Sequence, residues 1–314
     1  MNALNNPGCV TAVSNTGLSD CPLTPGPIVG AILIDKGQIF EAGDILTTAT
    51  FKTKLQGLTM IEGKMRVYPI FRFQGITDNS EEATMASMGY GSSIFVRDGK
   101  YNWRFNITAG GLCLHKNLRS FNKTNKRVLF VDDADVIYGT MTADGFTGFT
   151  LDSIYVPPFK ISDGSNVSMF EIEFKLAKPA ELNENISYIK MPDDVETSFK
   201  GITDVLLTEV ENVALNVTIA AKTSCDAINL YDTYEDEIAA VPIWVVKKAG
   251  VPVTPSAVVK VPGVKGWKLT FEAATVGEHT ITLANPVALN TAGIGGAPAN
   301  GFEAIPITVT VTAT

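Results

Sequence analysis

Short stretches in which apolar and polar residues alternate recur along most of the chain. In FEIEFKL the apolar residues Phe170, Ile172 and Phe174 alternate with charged ones. Successive side chains of a β-strand point to opposite faces, so this period of two predicts a strand with one buried and one solvent-facing side. Comparable runs between turn residues predict a mainly β chain: IVGAILI, RVLFVDD, ALNVTIAA, VPIWVVKK, GWKLTFEA, HTITLA and AIPITVTVT.

Few helices are predicted within this β pattern. Asp44 precedes ILTTATFKTKLQGL, whose apolar residues fall at helical spacing, and Gly57 stands where a helix would stop. This pattern predicts one helix of about three turns. Several side chains of residues 110–121 fall at helix-like offsets, which predicts a second helix. Residues 79–82 have the composition of a helix start, and the glycines that follow keep that helix short.

Turn residues predict where the strands reverse. Asp98-Gly99 lies between two alternating runs in SSIFVRDGKYNWRFNIT, which predicts a hairpin, and Asp144-Gly145 predicts another tight turn. Pro69 interrupts KMRVYPIFRFQGI and predicts an edge or bulged strand, because proline has no amide to donate.

The 314 residues are about twice a common domain length, which predicts two domains. Residues 1–27 lack apolar periodicity and predict an extended arm, either a floppy terminus or a segment that orders on a neighbouring subunit. Residues 28–210 are predicted to form a β-sandwich domain with one or two helices and a connecting segment. Residues 211–314, rich in Val, Thr and Ala, predict an immunoglobulin-like β-sandwich with Trp244 packed between its sheets.

The formal net charge of −8 excludes a general grip on nucleic acid, which needs clustered Lys and Arg. One basic cluster is present. We interpret it as a solvated helix face and turn, with a local patch for an acidic partner as the alternative. Its members are Lys116, Arg119, Lys123, Lys126 and Arg127.

The four cysteines, Cys9, Cys21, Cys113 and Cys225, show no CxxC spacing, which argues against a zinc site and a disulfide scaffold. The first residues lack a secretory signal, and no stretch is apolar enough to span a bilayer. Cytoplasmic synthesis is therefore expected. In that reducing compartment free thiols are favoured over a Cys9–Cys21 pair.

No constellation for catalysis is evident. The only histidines, His115 and His279, fall in different predicted domains, and neither lies near a nucleophile elbow or a metalloprotease helix. The sequence therefore predicts a protein that is not an enzyme. No catalytic, cofactor-binding or metal-ligating residue and no cofactor are predicted.

Two acidic clusters and one aromatic group are the remaining candidates for a site. The acidic clusters are Asp132, Asp133 and Asp135, and Glu235, Asp236 and Glu237. Their spacing fits neither an EF-hand nor a helical metal site, so we interpret them as acidic turns. The aromatic residues Phe149, Tyr155 and Phe159 are candidates for sugar stacking, although a sandwich core and its rim explain such residues more often.

Two segments resemble virion structural proteins of tailed bacteriophages, including those of crAss-like and other Bacteroides phages. They are NTGLSDCPLTPGPIVGAILIDKG and VIYGTMTADGFTGFTLDSIYVPPFKISDGSNVSMFEIEFKLAKPAELNENISYI. Tail-tube and ring subunits of such particles combine a β-sandwich, a flanking helix and an extended arm, often with an appended immunoglobulin-like domain. The predicted elements follow the same order.

This resemblance implies a structural subunit that forms rings or a tube in the tail. Its implied partners are copies of itself and other virion tail or capsid proteins, with no membrane and with DNA passing through without specific binding. The implied location is the virion, assembled in the host cytoplasm. The alternatives are a glycan-binding or host-surface head fibre, a capsid decoration protein and, last, a glycosidase or peptidase.

Overall fold

The computed structural model describes residues 25–295 and 301–313, except positions 62, 109, 123, 163, 166 and 167. The chain divides into two compact units. The first runs to Leu58 and continues as Gly63–Phe199, and the second comprises Thr59–Glu62 and Lys200–Thr314. Residues 1–24 of the predicted arm lie outside the described residues.

The first unit is built mainly of strands, as predicted. Its strands are β1 (Ile28–Asp35), β2 (Tyr68–Phe71), β3 (Phe73–Asp78), β4 (Thr84–Gly89), β5 (Ser92–Arg97), β6 (Asn102–Ile107), β7 (Lys126–Asp132), β8 (Val136–Thr142), β9 (Gly145–Thr147), β10 (Phe149–Tyr155), β11 (Phe170–Leu176) and β12 (Ile186–Lys190). Its helices are α1 (Thr48–Met60), α2 (Gly111–Arg119), α3 (Pro179–Asn183) and α4 (Val195–Ser198).

The second unit is also built mainly of strands. Its strands are β13 (Thr203–Val213), β14 (Asn216–Thr223), β15 (Trp244–Lys248), β16 (Val251–Val253), β17 (Ala257–Val261), β18 (Gly266–Thr270), β19 (Gly277–Leu283), β20 (Phe302–Ile305) and β21 (Ile307–Val311). Its α-helices are α5 (Tyr231–Tyr234) and α6 (Pro286–Thr291). Among the described residues, no helix has the length and apolar character needed to cross a bilayer.

The strand pairings of the first unit form a circuit, which we call the barrel-like sheet. β7 pairs with β10, β10 with β11, β11 with β6, and β6 with β3. β3 follows β2 after the single residue Arg72, whose φ of 68° turns the chain, and β2 pairs with β1, which returns to β7. Buried side chains from these strands form one core, in which the rings of Phe130 and Phe174 lie 5.8 Å apart.

The opposite faces of β1 and β7 pack against α1. Phe51 and Leu55 of the helix are buried in a second core with Ile32, and the Phe40 and Phe51 rings meet edge to face at 5.0 Å. The predicted helix is therefore present, but its predicted start is wrong, and it continues past the predicted stop at Gly57 to Met60. The amide of Thr50 donates to the Thr47 hydroxyl, and the amide of Thr47 donates to the Thr50 hydroxyl, both at 3.1 Å. Hydroxyl groups rather than Asp44 therefore cap the helix.

A buried carboxylate ties α3 to the barrel-like sheet. Glu181 accepts hydrogen bonds from the amide of Thr150 at 2.6 Å and from its hydroxyl at 2.7 Å, and the Arg127 guanidinium lies 3.9 Å away. Removing this side chain leaves buried donors without an acceptor.

We therefore expect Glu181→Ala to lower the free energy of unfolding by about 2–3 kcal/mol, because unmade buried hydrogen bonds cost their full desolvation. Urea denaturation measures the change. Glu272→Ala, an exposed glutamate of the second unit, is the control and should change stability by less than about 0.5 kcal/mol. Equal stabilities of the two variants would contradict the prediction.

The second unit consists of two sheets around one core. Their strand orders are β17-β18-β14-β13-β20 and β16-β15-β19-β21. Trp244 is buried in this core as predicted, and its indole donates to the Ile238 carbonyl at 2.8 Å. Trp267, whose burial was not predicted, is fully buried beside it. The immunoglobulin type of this unit stays a prediction.

The predicted boundary between residues 28–210 and 211–314 is placed too late. The long segment of the second unit begins at Lys200, and β13 pairs with β14 and β20 inside it. The connecting segment predicted at the end of residues 28–210 includes most of FKGITDVLLTEVENV. Residues Thr203–Val213 of this segment, however, form β13 of this sheet.

The expectation of free thiols is wrong for the two cysteines within the described residues. Cys113 and Cys225 each take part in a disulfide bond. Pairing depends on the approach of the cysteines in space rather than on their spacing in sequence, so sparse cysteines gave no sign of it. Cys9 and Cys21 lie outside the described residues.

Candidate assembly surface

β4 and β5 form a two-stranded sheet that pairs with no other strand of the described chain. Their register places Met85 opposite Phe95 and Ala86 opposite Ile94. Every residue of both strands is exposed. An isolated hairpin is at best marginally stable in water, so this one is expected to need a further surface.

The hairpin is apolar on both faces. Met85 and Phe95 lie on one face, with 52% and 54% of their surfaces exposed, and Ile94 lies on the other, 50% exposed. Neighbouring strand positions point to opposite sides, which is why a single apolar layer cannot cover both groups. Exposed apolar surface of this kind is typical of interaction sites, which makes the hairpin the candidate surface.

The tip of the hairpin is a two-residue turn. Tyr90 and Gly91 have φ angles of 50° and 79°, the combination of a type I′ turn. The turn matches the twist of the paired strands, and it leaves the Tyr90 side chain fully exposed. Arg97 is the only charged residue between positions 84 and 97. The projecting surface is therefore nearly uncharged on a strongly acidic chain.

The base of the hairpin is held by the main sheet. The amide of Glu81 donates to the Lys100 carbonyl at 2.9 Å, and the amide of Asn79 donates to the Asn102 carbonyl at 2.8 Å. The Lys175 ammonium lies 3.0 Å from the Glu81 carboxylate. This hydrogen bond and the charge attraction lower the pKa of Glu81 and raise the pKa of Lys175. The two strands thus project from an anchored root.

Gly99 allows the two chain segments at this root to meet. A Cβ atom at this position would lie 1.8 Å from the Glu81 carbonyl oxygen and 2.8 Å from that of Glu82. No side chain fits in such a gap. The glycine is required here by a close backbone approach.

Two predictions for this region are therefore wrong. Asp98-Gly99 is not a hairpin turn, because β5 pairs with β4 while β6 pairs with β3 and β11. Residues 79–82 do not start a helix but lead into β4. The sequence signal that was missed is the Gly89-Tyr90-Gly91 tripeptide between β-forming residues. Its glycines were interpreted as helix breakers, whereas two of the three positive φ angles of the turn region belong to them.

Both histidines have structural surroundings. His115 is buried on α2, where its Nε2 lies 2.8 Å from the Pro157 carbonyl oxygen and its ring contacts the Phe159 and Phe170 rings. His279 is fully buried in the second unit, with Nδ1 2.9 Å from the Gly277 carbonyl oxygen. The surroundings of each ring are backbone and aromatic groups.

The first acidic cluster serves as a turn, as interpreted from the sequence. The buried Asp132 carboxylate accepts bonds from the amides of Ala134 and Val136 and from the Tyr138 hydroxyl at 2.7 Å. Burial and this hydroxyl bond raise the pKa of Tyr138. Asp135 accepts from the Val195 amide at 2.8 Å. Within the described ranges, no three His, Cys, Asp or Glu side chains group as metal ligands.

The remaining candidates are dispersed. In the second acidic cluster, Asp236 forms an ion pair with Lys260. Phe149 is buried in the barrel-like core, while Phe159 packs beside that core and Tyr155 is exposed, so these aromatics do not share one surface.

The basic cluster is also divided. Lys126 lies 3.8 Å from the Asp35 carboxylate, and Arg127 is turned inward to the Gly148 carbonyl. Lys116 and Arg119 stay exposed on α2. The four described residues of the cluster therefore do not form one continuous basic patch, and Lys123 lies outside the described residues.

Comparisons with protein-family models and with curated proteins give no match. The candidate site consequently depends on the geometry of this chain, and the exposed hairpin is its principal feature.

Proposed function

We propose that this chain is a structural subunit of a tailed-phage particle that forms rings or a tube in the tail, through which DNA passes. The observation that carries the proposal is the hairpin β4–β5, anchored at its root and apolar on both faces. Exposed apolar surface of this kind is typical of a contact site, and a subunit that is completed by its neighbours would cover it on assembly.

Self-assembly accounts for this feature physically. Unpaired strand edges and exposed apolar side chains favour association, and closed rings remove them without leaving further edges to aggregate. Burial contributes about 25 cal/mol for each Å² of apolar surface removed from water. The fully exposed hairpin offers apolar surface on both sides for this purpose.

The assignment to a phage particle is supported by the resemblance of the two segments named above. The net charge of −8 agrees with a channel that repels the phosphate backbone instead of binding it. Under this proposal the partners are copies of the chain and other virion proteins, and the protein has no catalytic role.

Negative-stain microscopy of the purified full-length chain tests the proposal. We expect rings or short tubes of uniform diameter at micromolar concentration. A strict monomer at high protein concentration would contradict ring formation. Binding of the monomer to a glycan array would instead favour the head-fibre alternative.

A further inference from the structure

We propose that the hairpins of successive copies pair edge to edge, with the outer edge of β5 in one copy beside the outer edge of β4 in the next. The contact forms one continuous antiparallel sheet around the ring. This inference rests on the proposed function and names the partner of the hairpin, which is the same hairpin in a second copy. Addition of a strand to a sheet edge gives backbone groups a partner in place of water.

Each strand of the hairpin has a bare outer edge. Within the described chain, β4 and β5 pair only with each other, and every residue of both strands is exposed. The ladder is regular only where Met85–Ser87 faces Ser93–Phe95, with a register shift on either side. Two strands held by so short a ladder are at best marginally stable in water, and further strands on their edges stabilise them.

A single repeated contact covers both edges. The two strands of the hairpin run antiparallel, so hairpins that point the same way around a ring place β5 of one copy antiparallel to β4 of the next. Repetition of this contact around a ring leaves no edge unpaired, as in an up-and-down barrel. Addition of β5 to any other strand of the next copy would leave the outer edge of β4 bare in every subunit.

Edge pairing also accounts for the apolar side chains on both faces of the hairpin. Met85 and Phe95 lie on one face and Ile94 lies on the other, and each is about half exposed. A strand added at the edge places cross-strand neighbours beside the side chains of both faces at once. Docking of one face onto a flat surface would cover one of these groups and leave the other in water.

The composition of the hairpin favours a second hairpin as its partner. Residues 84–97 contain no aspartate or glutamate, although the chain has 33 of them. Two copies, each with a net charge of −8, therefore approach with the least repulsion where their hairpins meet. The hairpin also lacks lysine and proline, which oppose pairing at sheet edges. Outer strands elsewhere carry such residues: Pro69 in β2, Pro252 in β16 and Lys260 in β17.

Disulfide mapping between copies tests this contact in the full-length protein. One preparation, labelled with a heavy nitrogen isotope, carries an added cysteine in β4, and an unlabelled preparation carries one in β5. The two are mixed, assembled and oxidised with copper phenanthroline, and mass spectrometry of proteolytic peptides identifies links between labelled and unlabelled copies. To cover several staggers of the two strands, the β4 variants are Met85→Cys, Ala86→Cys and Ser87→Cys, and the β5 variants are Ser93→Cys, Ile94→Cys and Phe95→Cys.

The position of like strands in the proposed sheet provides an internal control. We expect β4–β5 links at least about 10-fold above β4–β4 and β5–β5 links, because two spacings of about 4.8 Å separate like strands, beyond the reach of a disulfide. Glu272→Cys, at an exposed position of the second unit, replaces the β4 variant in a further control. It should give no excess of links to β5.

Predominant β4–β4 or β5–β5 links, or no link between the hairpins of assembled protein, would overturn edge pairing. If Phe95→Asp prevents assembly in that case, the proposed function stands with a different partner for the hairpin. A purified protein that stays monomeric would overturn both.

Discussion

Phe95→Asp is expected to prevent assembly while leaving both units folded. Phe95 is 54% exposed in the single chain and contacts no core of the described residues, so the free subunit loses little. In an assembled interface the new carboxylate would be buried without a partner, at a cost of several kcal/mol. We expect association to weaken at least about 100-fold, corresponding to ~2.8 kcal/mol.

Sedimentation velocity gives the association state of this variant, and a thermal melt followed by circular dichroism gives its folding. The matched control is Val259→Asp, which places the same charge at a valine of β17 that is 50% exposed. The control should assemble normally. Equal loss in both variants would show that any exposed apolar position matters, and the hairpin would lose its special role.

Gly99→Ala is expected to have the second largest effect. The added Cβ would lie 1.8 Å from the Glu81 carbonyl oxygen, a contact that only movement of the backbone relieves. Overpacking of this kind typically costs about 1–3 kcal/mol. The cost falls on the root of the hairpin, so we expect β4 and β5 to lose their fixed direction and association to weaken about 10-fold or more.

Gly43→Ala is the control, because a Cβ at Gly43 meets no atom within 4 Å and its φ is not in the left-handed region. Both variants are compared by chemical denaturation and by sedimentation velocity. Unchanged association of Gly99→Ala would mean that the root does not orient the hairpin.

Strands with a clean alternating pattern were predictable from the sequence. Phe170, Ile172 and Phe174 are each at most 1% exposed, as the period of two indicated. One face of such a strand is core whatever its neighbours are, so local pattern alone determines which residues are buried. Trp244 was predictable for a similar reason, as an aromatic residue within an apolar run.

The candidate site was not predictable in the same way. Asp98-Gly99 has the local statistics of a hairpin turn, but Gly99 is required by the close approach of a segment seventeen or eighteen positions earlier, around Glu81 and Glu82. The apolar residues of β5 gave no sign of exposure, because burial depends on the rest of the fold. The start of α1 was missed because Thr47 and Asp44 are both good cap residues, and only the hydroxyl hydrogen bonds distinguish them.

Hydrogen–deuterium exchange of residues 84–97 gives the most direct test of the central claim, that this hairpin is completed by another copy of the chain. Exchange is measured by mass spectrometry on dilute monomer and on assembled protein under the same conditions. We predict rapid exchange in the monomer and at least about 10-fold slower exchange after assembly, because the hairpin gains backbone partners and loses contact with water. Equally rapid exchange in both states, with assembly demonstrated in the same sample, would contradict the account.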